Sequence, residues 1–189
     1  MPIKLIFWDR DGIINVGRAP VAEDATDEEK RKMYVLSKDE FELVPTAKEA
    51  VAKFKDAGLY QILVTKQRCV ERGLITVEEL EEIHKYMQEI LGFEFDDIEV
   101  QTHKIPGQSK DALMMAAMQK MDVNPEDCAI IGDRASDMEL GVSAKIPVRV
   151  LVIWQSEKDG LTDDIEEAKT NATQVVKTPL EAAEAILAN

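Results

Sequence analysis

Hydrophobic positions along this chain follow two periods. Short runs rich in apolar residues, Ile3 to Trp8, Tyr60 to Val64, Ile98 to Gln101, Cys128 to Ile131 and Val148 to Trp154, have the length and makeup of strands in a parallel sheet. Between them, apolar residues recur at helical spacing. The capping pattern Thr46-Ala47-Lys48-Glu49 precedes Ala50, Val51, Phe54 and Ala57, and Gly58 closes that helix. Thr76-Val77-Glu78-Glu79 opens a second, with Val77, Leu80, Ile83, Met87 and Ile90 on one stripe before Gly92. Ser109 to Met121 reads as a third, whose Met114, Met115, Met118 and Met121 are assigned to core filling. Thr178-Pro179-Leu180-Glu181 starts a last helix, and Asp163 to Lys169 and Gln174 to Val176 add a small helix and strand at the edge. Strands alternating with helices predict an α/β fold: a three-layer, Rossmann-like parallel sheet of five or six strands with helices on both faces.

One stretch breaks the alternation. Asn15 to Glu42 is polar, with Thr26-Asp27-Glu28-Glu29 starting a short helix through about Tyr34. Residues 17–39 are therefore expected to be an insertion within a single domain spanning 1–189. It is left open whether they form a lid, an oligomer contact or a surface excursion. A length of 189 residues with 45% hydrophobic content suits one core. No apolar stretch approaches the roughly 18 residues of a membrane span, and the first residues lack a signal-peptide pattern, so a cytoplasmic protein is expected. Cys69 and Cys128 are too few for a disulfide framework or a four-thiolate zinc site. The formal net charge of −14 disfavours nucleic acid and anionic membranes as partners. An anionic substrate would need a local basic pocket.

Chemistry collects at the carboxyl ends of the predicted strands, where open parallel sheets bind ligands. The first strand ends in Asp9 and Asp11, the second in Thr65, and the fourth in Asp133 with Asp137 beyond; Lys110 follows the third. Two acids one residue apart repel each other unless a cation holds them. A divalent ion on Asp9, a backbone carbonyl near Asp11, and Asp133 would offset that repulsion, and all-oxygen ligands favour Mg²⁺. An EF-hand start fits poorly, because Ile13 stands where a third oxygen ligand belongs.

DRDG at 9–12, Thr65 ending ILVT, Lys110 and GDRASD at 132–137 resemble the four motifs of the haloacid-dehalogenase-like superfamily of aspartate-nucleophile phosphatases. DRDGIIN, VTKQRCVERG and IGDRASDMELGV are similar to its small, largely capless branch, which holds the histidinol-phosphate and heptose-bisphosphate phosphatases and the polynucleotide 3'-phosphatase domain. The resemblance implies a Mg²⁺-dependent phosphomonoesterase acting on a small phosphorylated metabolite such as a sugar phosphate or bisphosphate. It also implies roles. Asp9 would attack phosphorus and become an aspartyl-phosphate, Asp11 would shuttle the proton, and Thr65 and Lys110 would stabilise the transferring group.

The chain departs from its branch in places. Thr65 is followed by Lys66 and Gln67 where relatives carry Asn and Gln, and Arg68 and Cys69 replace small residues. Lys66, Arg68 and Arg72 make this loop basic, and they are expected to meet a second anionic group on the substrate. QTHKIPGQSK lacks the cysteines of the branch's zinc loop, so no zinc is expected; Lys104 stays an alternative to Lys110 as the motif lysine. Asp137 either joins the metal or caps the following helix, and Arg134 either reaches phosphate or lies on the surface. Arg10 alternates away from its aspartate neighbours and is left out of the site, while His84 is assigned to a helix surface. His103 is read as a loop residue, Trp8 as core and Trp154 as a border of the pocket. Two other functions stay in play: a phospho-acceptor signalling module and a polynucleotide 3'-phosphatase. DxDG, which pairs the nucleophile with an acid two residues on, favours turnover over a switch. Oligomeric state is not set by the sequence.

Overall fold

A computed structural model describes residues 2–22, 24–103 and 109–188. The strands are β1 (Leu5–Trp8), β2 (Tyr60–Lys66), β3 (Asp97–Gln101), β4 (Cys128–Gly132), β5 (Val148–Val152) and β6 (Gln174–Val176). The helices are α1 (Asp27–Arg31), α2 (Ala47–Asp56), α3 (Val77–Leu91), α4 (Lys110–Lys120), α5 (Ala135–Ser143), α6 (Trp154–Lys158), α7 (Thr162–Lys169) and α8 (Pro179–Leu187). All strand pairs are parallel, in the order β3-β2-β1-β4-β5-β6. The expected α/β fold is borne out, and β1 lies at the point where the strand order reverses.

Central strands alternate their side chains between two cores, which explains why their runs are apolar on both faces. Ile6 and Trp8 of β1 face the cluster containing Phe54, Leu80 and Ile186 of α2, α3 and α8. Leu5 and Phe7 face the opposite cluster, with Met114 and Met118 of α4 and Leu140 of α5.

Several boundaries differ from the sequence reading. β1 starts at Leu5, and β2 runs on to Lys66, so Thr65 lies inside the strand. β5 stops at Val152, because α6 begins at Trp154. Thr46 does not cap α2: its backbone is left-handed at φ 70°, and its hydroxyl accepts from Leu180 N at 3.2 Å, stitching α2 to α8. Ala57 lies beyond the last turn of α2 and is exposed, and Val77 and Met115 also face solvent. The capping boxes at Thr26 and Thr76 are present. Among the described residues between β1 and α2, helical structure is limited to α1 and a short 3-10 turn at Lys38–Glu40, and Val35 and Phe41 anchor the segment in the core.

Candidate active site

The carboxyl ends of β1 and β4 adjoin, with Trp8 in register with Ile131 and Asp9 N donating to the Ile131 carbonyl at 3.0 Å. This pairing sets Asp9 beside Asp133. Lys110, the first residue of α4, donates to Asp9 Oδ1 at 2.6 Å and to Asp137 Oδ1 at 3.0 Å. All three of these side chains are largely buried. Burial acts to lower the Lys110 pKa, but the two carboxylates outweigh it and hold the ammonium charged. Asp137 also accepts from Arg134 N at 3.3 Å through its other oxygen, so it caps α5 and faces the cluster at once.

One ligand oxygen from each of Asp9, Asp133 and Asp137 lies within 4.8 Å of the others. Burial and the neighbouring Asp137 charge push Asp9 up to about 7, and burial with Asp137 and Asp9 pushes Asp133 well above the carboxylate range. Asp133 Oδ1 is buried without a hydrogen-bond partner. Glycine makes the close approach possible. At Gly12, with φ +88°, a Cβ would stand 2.1 Å from Asp133 Oδ2, and at Gly132 one would stand 2.3 Å from Asp137 Cβ. Crowded, under-neutralised hard oxygens with an orphaned acceptor fit a divalent cation such as Mg²⁺. The sequence reading gave the metal Asp9, Asp133 and a backbone carbonyl near Asp11. A further carboxylate, that of Asp137, joins Asp9 and Asp133, while the Asp11 carboxylate is bonded elsewhere.

Asp11 is held by three donors. Arg10 Nη2 reaches both its oxygens, at 2.9 and 3.1 Å, Asn15 Nδ2 reaches Oδ1 at 3.0 Å, and Gln67 Nε2 reaches Oδ2 at 2.7 Å. Burial alone would raise the Asp11 pKa, but the Arg10 charge and these bonds bring it below the usual range. The exclusion of Arg10 from the site is thus corrected. Alternation applies only within a strand; β1 ends at Trp8, and the fully buried guanidinium curls back onto Asp11. His84 is corrected too. It lies on the same stripe as Leu80, Met87 and Leu91, is buried, and its Nε2 sits 3.2 Å from Arg10 Nη1. A guanidinium only donates, so this imidazole nitrogen is an acceptor and the ring is neutral. Burial, with the Arg10 charge, lowers its pKa to about 3.

A cleft of about 480 Å³ opens over these groups. Asp9, Asp11, Thr65, Lys110 and Asp133 form its floor, and Gly17, Arg18, Met33 and Tyr34 of the segment after β1 form one wall. Gln155 of α6 ties that wall down, accepting from Gly17 N at 3.0 Å. Of the four expected substrate contacts, Lys66 and Arg134 line the cleft and Arg68 and Arg72 do not. Arg68 is paired with Glu71, and Arg72 stacks over the Tyr34 ring at 5.8 Å. Arg134 is held by Asp164 at 2.9 Å. Trp154 stands under Lys158 at 5.0 Å, outside the cleft lining, where its neighbour Gln155 takes the position. Lys104 lies outside the described residues.

A family model for haloacid dehalogenase-like hydrolases matches residues 7–145. The chain belongs to that family. A D-glycero-beta-D-manno-heptose-1,7-bisphosphate 7-phosphatase of Helicobacter pylori (strain 26695) is 31% identical, aligned over 79% of this chain and 84% of its own length. The Chlorobaculum tepidum D-glycero-D-manno-heptose-1,7-bisphosphate 7-phosphatase is 25% identical over 88% and 92% of the two chains. The crystal structure of D,D-heptose 1,7-bisphosphate phosphatase from B. bronchiseptica, complexed with magnesium and phosphate, superposes with a TM-score of 0.76 at 24% identity. It covers 98% of this chain and 99% of that one. The expected family and enzyme class, a haloacid dehalogenase-like phosphatase, are borne out. Among the described residues, no helix is long and apolar enough to cross a membrane.

Proposed function

We propose that this member of the family is a Mg²⁺-dependent phosphomonoesterase that forms an aspartyl-phosphate on Asp9 and acts on a small phosphorylated sugar bearing a second anionic group. The observation that carries this reading is the convergence in one cleft of Asp9, paired to Lys110, with Asp11, Thr65 and the Asp133–Asp137 pair. An Asp9 oxygen attacks phosphorus, and the P–O bond to the sugar breaks. The departing oxygen takes its proton from Asp11. Water then attacks the phosphoryl group on Asp9, Asp11 accepts the water's proton, and inorganic phosphate leaves as the Asp9 carboxylate is regenerated. The bonds that keep Asp11 ionised suit it to this second half, and the proton it gains serves the next leaving group. Lys110 and the Thr65 hydroxyl offset charge on the transferring oxygens. Bound Mg²⁺, held by Asp9, Asp133 and Asp137, supplies positive charge that lets an anionic phosphate approach an anionic nucleophile.

Heptose bisphosphate, the substrate named for the relatives, carries two phosphates. Lys66 and Arg18 are cations of the cleft for which no ion-pair partner is found among the described residues, and they suit a second phosphate. A small metabolite fits the cleft better than a polynucleotide does, given the net charge of −14. The two buried free thiols suit a cytoplasmic setting.

Phosphate release from a panel of sugar phosphates, with and without Mg²⁺, tests the reading. We expect Mg²⁺-dependent turnover that Asp9→Asn abolishes; a stable phosphate on Asp9 without turnover would point to a signalling module instead. The Lys66→Ala, Arg18→Ala pair is expected to raise KM about tenfold or more for a bisphosphate, as the loss of a charge-assisted contact would, and to leave monophosphates nearly unchanged.

A further inference from the structure

We infer that Gln67 is a positioning residue that aims two reacting groups together, the Asp11 carboxylate and the Thr65 hydroxyl. This rests on the phosphomonoesterase reading above. Gln67 is buried at 1% exposure and is absent from the cleft lining, so it does not itself meet substrate. Its backbone N donates to the Gln101 carbonyl at 2.9 Å, which extends the β2–β3 pairing by one residue and fixes where the side chain starts. Lys66 at the end of β2 is exposed, whereas Thr65 and Gln67 on either side of it are buried.

The amide nitrogen of Gln67 has two protons, and both are used. One goes to Asp11 Oδ2 at 2.7 Å and the other to Thr65 Oγ1 at 2.9 Å. Its oxygen faces the Cys69 thiol at 3.8 Å, a weak donor. The reversed amide would set an oxygen against the Asp11 carboxylate, so the orientation is fixed by charge. Because Thr65 Oγ1 accepts from Gln67, its own proton is free to point into the cleft that Thr65 lines. Arg10 and Asn15 also hold Asp11, but neither is bonded to Thr65. Among the described residues, Gln67 alone donates from its side chain to both groups.

The test separates proton delivery from the rest of the reaction by leaving group. A p-nitrophenolate departs without a proton, whereas the alkoxide of glycerol phosphate needs one. Gln67→Met keeps the side chain's shape and removes both donors; Gln67→Glu keeps the length and replaces the donor nitrogen with an acceptor. With Mg²⁺ present and folding verified by circular dichroism, we expect kcat/KM on glycerol phosphate, which reports the steps through departure of the leaving group, to fall about tenfold to a hundredfold in either variant. The fall on p-nitrophenyl phosphate should be several-fold smaller, and KM should change little for both. Equal losses on the two substrates, or a change confined to KM, would overturn the inference. Inactivity of the native chain on both substrates and on the sugar-phosphate panel would overturn the phosphomonoesterase reading itself, which a loss confined to the variants would not.

Discussion

At the scale of single residues, the site depends on charges that the chain buries deliberately. Arg10 is fully enclosed, and its guanidinium is shared between Asp11 and the neutral ring of His84. An unfolded imidazole takes up a proton below about pH 6.5, whereas His84 in the fold does so only near 3. Between these values the unfolded state binds more protons, so this contribution to stability is whole above about 6.5 and is lost as pH falls toward 3. Ring-nitrogen NMR is expected to show His84 neutral, protonated on Nδ1, down to about pH 4; a midpoint near 6.5 would contradict the packing. Gly12 is the other sensitive position. Gly12→Ala would force a methyl into Asp133 and hold alanine at φ +88°, costing about 1–3 kcal/mol in backbone strain. It should abolish Mg²⁺-dependent turnover, while chemical denaturation shows a folded but weakened protein. Asp9, Thr65, Lys110 and Asp133 were legible because motif spacing marks them. Arg10 and Gln67 were not, because their partners His84 and Asp11 lie 74 and 56 residues away in sequence.

At the scale of elements, local signals worked where local bonds carry the structure. Thr76 Oγ1 accepts from Glu79 N at 3.2 Å, and Glu79 Oε2 accepts in turn from Thr76 N at 2.8 Å. Thr76→Ala should cost about 1 kcal/mol by denaturant titration without altering turnover. The same pattern at Thr46 misled, because the hydroxyl is taken by α8, an element more than a hundred residues further on. On α4, spacing named four core methionines, yet Met115 is 57% exposed and Met114 fully buried. The helix has one inward face, and a run of adjacent apolar residues does not say which members share it.

At the scale of the whole molecule, an acidic chain assembles a site whose own carboxylates repel one another. Three buried aspartates face a single lysine, so the metal-free fold is strained electrostatically and a cation should relieve it. Mg²⁺ is expected to raise the thermal unfolding midpoint, by about 2.7 kcal/mol of stability at a hundredfold excess over Kd. Asp133→Asn should remove that shift and make the metal-free protein more stable than the native one. Since Asp9 holds its proton up to about 7, a Mg²⁺ ion bound on it would displace that proton, and affinity measured by calorimetry should rise with pH between about 6 and 8. A pH-independent affinity would place the cation elsewhere.

The sequence by itself determined the alternation of strands and helices, the order in which reactive groups leave the sheet, and the family those groups announce. These are properties of neighbouring residues, and period and motif record them directly. The tertiary structure alone decided that Asp137 completes the carboxylate cluster, that Arg68 and Arg72 turn away while Lys66 faces the cleft, and that Arg18 and Tyr34 wall it. It also decided that Gln67 and Arg10 hold Asp11. Such contacts form only when the parallel sheet brings the ends of separate strands together, and no period along the chain encodes which distant side chain will be waiting there.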